Sequence, residues 1–299
     1  MEPLRISLGV YGLEKLFGGD PRGLIEVARQ AEAAGVDQIN FTDHVVMSAR
    51  TDRYPFGKFP VPPEYPWFEP LTMLAAIAGA TSRIRLGTGV LITPLRPAVL
   101  LAKIAATLDV VSGGRLDLGV GTGWQREEYE ASGIPFAGRT ARMDDQLRAC
   151  RVLWREAPAS FDSETVRFEG IWSNPKPLQS PLPLWFGLAP TEANARRIAE
   201  LGQGWIPIYA DPAFIRNGVD LVRRAFEDAR RDPAELRVRA HTPVTYGANR
   251  IGDLDAALAA IDAARAAGAT DIEFMGINFV RRAGELPAFL ERIGKLSEV

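Results

Sequence analysis

The chain carries one cysteine and two histidines in 299 residues. One thiol excludes a disulfide framework within the chain. Cys150, set among Leu147, Leu153 and Trp154 in an amphipathic stretch, reads as a buried apolar side chain. Two histidines, His44 and His241, are too few for a histidine-based metal cluster, so no metal site is expected. The Gly-x-Ser-x-Gly elbow of a serine hydrolase is absent. Neither sign of charge is in excess: 35 Lys and Arg against 37 Asp and Glu give a formal charge of −2. That balance offers no electrostatic reason to expect nucleic acid or an acidic membrane as partner. The basic pairs Arg223-Arg224 and Arg230-Arg231 are interleaved with Glu227 and Asp228, as on a solvated helix face. No eighteen apolar residues run together, and the amino terminus has no basic stretch followed by an apolar one. The expectation is a cytoplasmic protein.

What the chain does have is a repeated phrase, in a composition (46% hydrophobic, 24% charged) that can bury a substantial core. Leu4, Ile6, Leu8 and Val10 alternate with Arg5, Ser7 and Gly9, the period of a strand. Asp20-Pro21 then opens a helix through Leu24, Val27, Ala28, Ala31 and Ala34, which Gly35 stops. Further strands are predicted at 36–43, 84–92, 115–121, 183–188, 204–208, 237–246 and 270–276. The helices between and after them fall at 70–81, 97–111, 140–155, 191–201, 212–230, 253–266 and 285–296. Eight strand-helix pairs with no polar linker favour an α/β fold of one domain over 1–299, a closed (β/α)8 TIM barrel. Two insertions interrupt it. Residues 48–69, after the second strand, carry Tyr54, Phe56, Phe59, Tyr65, Trp67 and Phe68 and must lie over the C-terminal face, where barrel active sites form. Residues 158–182, after the fourth strand, hold a small hairpin from Phe161 to Phe168 and a Pro-rich connection.

Three features point to chemistry. The phrase Leu116 to Gly123 looks like the glycine-rich turn of an S-adenosylmethionine methyltransferase, but three complete strand-helix units precede it and Trp124 stands where a dinucleotide fingerprint needs glycine. Glycines at the end of a barrel strand still let a planar cofactor or a phosphate approach the backbone. His44 follows Asp43 at the end of the second strand, the natural place for a proton donor or acceptor near neutral pH. His241 is placed early in the seventh strand, with a weaker case for function.

Taken together, Asp43-His44-Val45, Glu69-Pro70-Leu71, the run from Ala80 to Val90, Ala102-Lys103 and the run from Thr107 to Arg115 resemble the bacterial luciferase-like monooxygenase superfamily. The likeness continues through Gly119 to Trp124, Glu127-Glu128-Tyr129, Arg139 to Trp154, Pro175-Lys176-Pro177, Pro183 to Gly187 and Gly204-Trp205. Gly121 to Trp124 with Glu127-Glu128-Tyr129 and Gly133 to Phe136 is similar to the branch that uses the deazaflavin coenzyme F420. The resemblance implies a ring seat at a third-strand bulge with a non-proline cis peptide, matched by Gly89 and Val90. It also implies an Asp-His pair at the redox centre, matched by Asp43 and His44, and a cofactor phosphate or tail held at Gly187, Leu188 and Ala189, beside Gly121, Thr122 and Gly123. Four departures stand out: Trp124 replaces the glutamate of relatives that oxidise sugar phosphates, Gly187-Leu188 the usual glycine pair after the fifth strand, Gln203 an aspartate, and Asp145 a longer acid.

The expected activity is hydride transfer between F420 and a small organic substrate, with His44 handling the proton. Trp124, Tyr54, Phe56 and Trp67 would form the substrate wall. The alternative is a flavin mononucleotide (FMN) monooxygenase served by a partner reductase. A binding protein without turnover and a methyltransferase are weaker readings. The resemblance further implies a homodimer and a separate reductase or dehydrogenase that supplies reduced cofactor.

Overall fold

The computed structural model describes residues 3–247 and 250–298; Met1, Glu2, Ala248, Asn249 and Val299 of the expected 1–299 domain lie outside the described residues. In chain order, strand β1 (Arg5–Gly9) leads to helix α1 (Arg22–Ala33), β2 (Gln38–Phe41) to α2 (Pro70–Ala78), and β3 (Arg85–Thr88) with its short continuation β4 (Leu91–Ile92) to α3 (Ala98–Ser112). Next come β5 (Leu116–Gly121), α4 (Arg126–Ala131), α5 (Arg139–Arg155) and the hairpin β6 (Ala159–Asp162) and β7 (Arg167–Ile171). The chain ends with β8 (Leu184–Phe186), α6 (Glu192–Leu201), β9 (Gly204–Trp205), α7 (Pro212–Asp228), β10 (Arg237–His241), α8 (Leu254–Ala259), α9 (Ile261–Ala266), β11 (Asp271–Met275) and α10 (Leu286–Gly294).

The barrel strands all pair in parallel, in the order β3-β2-β1-β11-β10-β9-β8-β5-β4. A further pairing, Leu86 with Leu116 and Gly87 with Asp117, joins β3 to β5 and closes the barrel. The fold is a (β/α)8 TIM barrel with the two expected insertions. No helix among the described residues is long and apolar enough to cross a membrane.

Several boundaries differ from the sequence pattern, each for a local reason. The strand expected at 84–92 is two pieces, parted by a cis peptide between Gly89 and Val90. The strand expected at 237–246 stops at His241, because Pro243 has no N–H to extend the ladder. His241 therefore ends its strand, on the C-terminal face, and is not placed early in it. The helix expected at 253–266 pauses at Ala260. The short α4 was not foreseen. Its six residues carry too little apolar period to stand out.

The alternation along the strands sorts two environments. Leu4, Ile6, Leu8 and Val10 are buried outward against the helices. The opposite face of the strands fills the barrel lumen with charge, where branched apolar side chains are the usual filling. Arg5 bonds Asp271 at 2.6 Å, and Arg85 grips Asp117 with two bonds of 2.8 and 2.7 Å. Asp117 lies in a fully buried setting. Burial alone would raise its pKa, but the bonds and charge of Arg85 outweigh it and hold the pKa below the usual carboxylate range.

Removing that acid takes the carboxylate from Arg85, which keeps its bond to Gln179, and leaves its charge near that of Arg5, which Asp271 still holds. Asp117→Ala should lose about 3 kcal/mol of stability, the low end of the range for breaking a buried pair, because Arg85 keeps some contact with water. The measurement is the urea midpoint. A depressed folded pKa contributes stability that is present above the unfolded pKa of about 3.9 and lost as pH falls through the folded value. The wild-type midpoint should therefore fall on acidification below pH of about 4, and the variant's should fall less.

Candidate active site

At the C-terminal ends of the strands lies a cavity of about 640 Å³, within the range of small-molecule sites. Its floor is the cis bulge. Gly89 donates to Phe41 O at 2.7 Å and Thr88 Oγ1 to Gly119 O at 2.6 Å, which fix the bulge to both neighbouring strands. The Val90 side chain fits between two glycines. A Cβ on Gly121 would come within 2.7 Å of Val90 Cγ2, and one on Gly187 within 2.6 Å of Val90 Cγ1. The glycine-rich phrase is thus strand β5, and its glycines take the bulge against them. Gly187, Leu188, Ala189, Thr122 and Gly123 border the cavity with Gly89 and Val90. Gly121 is not on the lining and bears on the site only through Val90.

Asp43 and His44 leave β2 together but do different things. Both oxygens of Asp43 are engaged, Oδ2 by Ile92 N–H at 2.8 Å and by Arg96 at 2.7 Å, Oδ1 by Arg96 at 3.0 Å. Arg96 also holds Glu69 at 2.9 Å, and burial, which works against its cation, is outweighed by these acids, so its pKa is raised. Asp43 borders the cavity beside His44, and its carboxylate ties the end of β2 to β4.

The partner of His44 is Glu128, on the unforeseen α4. Glu128 Oε2 is 3.1 Å from His44 Nδ1, and Oε1 accepts from Val45 N–H at 2.6 Å. Glu128 is fully buried. A buried carboxylate at Nδ1 favours the Nδ1–H tautomer and leaves Nε2 for the cavity that His44 lines. Nothing in the sequence marked Glu128 beyond its place in a family phrase, since the six-residue helix that carries it is too short to show an apolar period.

The insertion after β2 supplies an aromatic wall. The His44 ring meets Trp67 at 4.7 Å and Phe59 at 5.9 Å, both edge-on, and Trp124 stands 5.2 Å from Tyr54. Phe56 reaches Tyr209 across the mouth at 6.5 Å. Tyr65 pins the loop by bonds of 3.0 Å to the buried Glu14, and burial with that acid beside it pushes the phenol's pKa far up. Arg139 also borders the cavity, its guanidinium 3.9 Å over Phe136, and offers a cation to an anionic group. Of the departures, Gln203 accepts from Leu184 N–H and Asp145 from Thr165, so both serve the framework.

The model of the luciferase-like monooxygenase family matches residues 7–292. An F420-dependent glucose-6-phosphate dehydrogenase of Gordonia bronchialis is 31% identical over 239 residues, which are 74% of this chain and 65% of that protein. Uncharacterized mycobacterial proteins reach 41% identity, over about half the length of each (46% of this chain and 49% of theirs). Among solved structures, monooxygenase RslO1 from Streptomyces bottropensis superposes with a TM-score of 0.82 at 21% identity, covering 98% of both chains. The coenzyme F420-dependent tetrahydromethanopterin reductase from Methanopyrus kandleri gives 0.74 at 16%, covering 99% of this chain and 98% of that one.

Glu128→Ala leaves the Val45 N–H and His44 Nδ1 without a partner. The expected loss is about 1–3 kcal/mol in urea unfolding, together with a shift of the His44 tautomer away from Nδ1–H in histidine ¹⁵N spectra. An unchanged tautomer would remove Glu128 as the group that orients His44.

Proposed function

Since the chain belongs to the luciferase-like monooxygenase family, we propose that it is a coenzyme F420-dependent oxidoreductase acting on a small, largely apolar organic substrate. The observation that carries this reading is His44, its Nδ1 held by Glu128 and its Nε2 left to a cavity floored by the Val90 bulge. The residues suit the cofactor: an apolar floor with glycines on either side admits a flat ring, and backbone at Gly187 to Ala189 with Arg139 suits an anionic tail. When bound, the deazaflavin supplies a ring carbon that gives or takes a hydride. Val90 would hold the ring. His44 Nε2 gives a proton to the substrate or takes one from it, and Glu128 keeps that nitrogen aimed. Tyr54, Phe59, Trp67 and Trp124 exclude water and accept a flat or aliphatic body. Trp124 stands where relatives acting on sugar phosphates have glutamate, which supports a less polar substrate. The same reading carries a cytoplasmic homodimer served by a separate source of reduced cofactor. The exposed Leu100, Val110 and Val111 along α3 support the second copy.

The alternative, an FMN monooxygenase with a partner reductase, uses the same cavity. Separate fluorescence titrations with F420 and FMN decide between them. Saturable, tighter binding of F420 is expected; the reverse preference would replace this reading with the alternative, and binding of neither would overturn both. Binding without turnover across a panel of enones and ketones would leave a binding protein. His44→Ala should keep cofactor affinity within a few fold and lower turnover by roughly 10²–10⁴-fold. Full turnover in that variant would take His44 out of the mechanism.

A further inference from the structure

Both histidines of the chain border the same cavity, and His241 has no part in the scheme above. It ends β10, four places round the barrel from β3 in either direction, so it faces the bulge across the barrel axis. Its side chain keeps 32% of its surface open, while its Nδ1 is buried and points to Glu273 Oε2 at 3.6 Å. Glu273 is itself 3% exposed, and the same Oε2 stands 3.5 Å from Arg239 Nε. The three atoms are all buried and without a hydrogen-bond partner. His241 is thus a second histidine with a buried carboxylate behind Nδ1, and its Nε2 is the nitrogen left for the cavity.

Its neighbours make it the more informative. From the ends of β8, β9, β10 and β11 the cavity is bordered by Leu188, Ala189, Ile206, Pro207, Ile208 and Met275, with Gly187 and His241. Among the described residues on that half of the wall, His241 alone has a side chain with a nitrogen or oxygen; the Met275 sulfur is at most a weak acceptor. A flavin and a deazaflavin share a pyrimidinedione edge with two carbonyl oxygens and an N–H. A ring resting on Val90 with its edge toward that wall would meet a single polar side chain there. Arg239 fixes the arrangement from beneath, since its guanidinium also donates to Thr88 O at 2.9 Å, the residue before the bulge.

We propose that His241 is a positioning residue for the cofactor, its Nε2 hydrogen-bonding the polar edge of the ring while Glu273 holds Nδ1. The inference rests on the flavin or deazaflavin reading. It adds a contact opposite His44 and makes the ring's seat two-sided, apolar at Val90 and polar at His241.

The test uses the full chain labelled with ¹⁵N-histidine, in which the two side chains are assigned by His44→Gln and His241→Gln. F420 and FMN are added in separate titrations, with binding followed in parallel by each cofactor's fluorescence. Saturation by the cofactor that binds should move the His241 Nε2 resonance. His241→Ala should raise the dissociation constant about tenfold, as loss of one hydrogen bond to a buried group would, and His241→Gln should recover part of it. Saturated cofactor fluorescence with an unmoved His241 resonance in the wild type would overturn the inference and leave the cofactor reading standing. Movement only on adding a substrate analogue such as cyclohexenone would also overturn it, by assigning the contact to substrate. No fluorescence change with either cofactor would show that the cofactor reading had failed, and the inference with it.

Discussion

A fully buried cation at the centre of the barrel sets the geometry of everything above it. The Arg239 guanidinium donates to Asn40 Oδ1 at 2.6 Å and to Thr88 O at 2.9 Å, and lies 5.3 Å from the centre of the Trp185 ring. Taking a guanidinium out of water costs several kcal/mol unless its donors find partners. Here the partners come from strands on the far side of the barrel. That explains two glycines which otherwise look wasteful in a strand. A Cβ on Gly87 would come within 2.0 Å of Asn40 Oδ1 and 3.1 Å of the guanidinium, and one on Gly119 within 1.9 Å of Thr88 O. The glycines make room for the cation and for the backbone that it holds.

The barrel is therefore stratified. Its lower lumen is ionic, with Arg5, Arg85 and Arg237 against Asp117 and Asp271. Arg239 and Glu273 follow, and then the bulge and the cavity. An apolar filling would pack the lumen as well, but it could not bond the carbonyl of Thr88. The ionic layers link the rigid frame to the one place where the strand departs from regular geometry. Asp43 does the same from above, through Ile92 N–H and Arg96. The bulge is held from below by Arg239, from above by Asp43 and at its sides by Gly121 and Gly187. Such multiple fixing keeps the bulge in place before any ligand arrives.

The barrel was legible because each helix announces its apolar face and its stop. Leu24, Val27, Ala28 and Ala31 are the buried face of α1, and Gly35, at φ +85°, follows its end. The strand alternation was legible too, but not its sense: Arg5 and Ser7 have the look of a solvent face, and the structure turns them into the lumen. Only long-range pairing, Arg5 with Asp271 across 266 residues, decides that. The cis peptide at Gly89-Val90 was reachable through the family resemblance alone, since local pattern does not report ω.

The candidate site shows the same limit more sharply. Adjacency in sequence made Asp43 the obvious companion of His44. Side chains of successive residues leaving a strand diverge, however, and a histidine's carboxylate partner must reach it from another element. Glu128, 84 residues away, does so. His241 follows the same rule with Glu273 from the adjacent strand, but at 3.6 Å in place of 3.1 Å. The shorter contact, together with the bond from Glu128 to Val45 N–H, fixes the His44 ring. The longer contact leaves His241 Nδ1, Glu273 Oε2 and Arg239 Nε buried and without a hydrogen-bond partner, the feature on which the proposal for His241 rests.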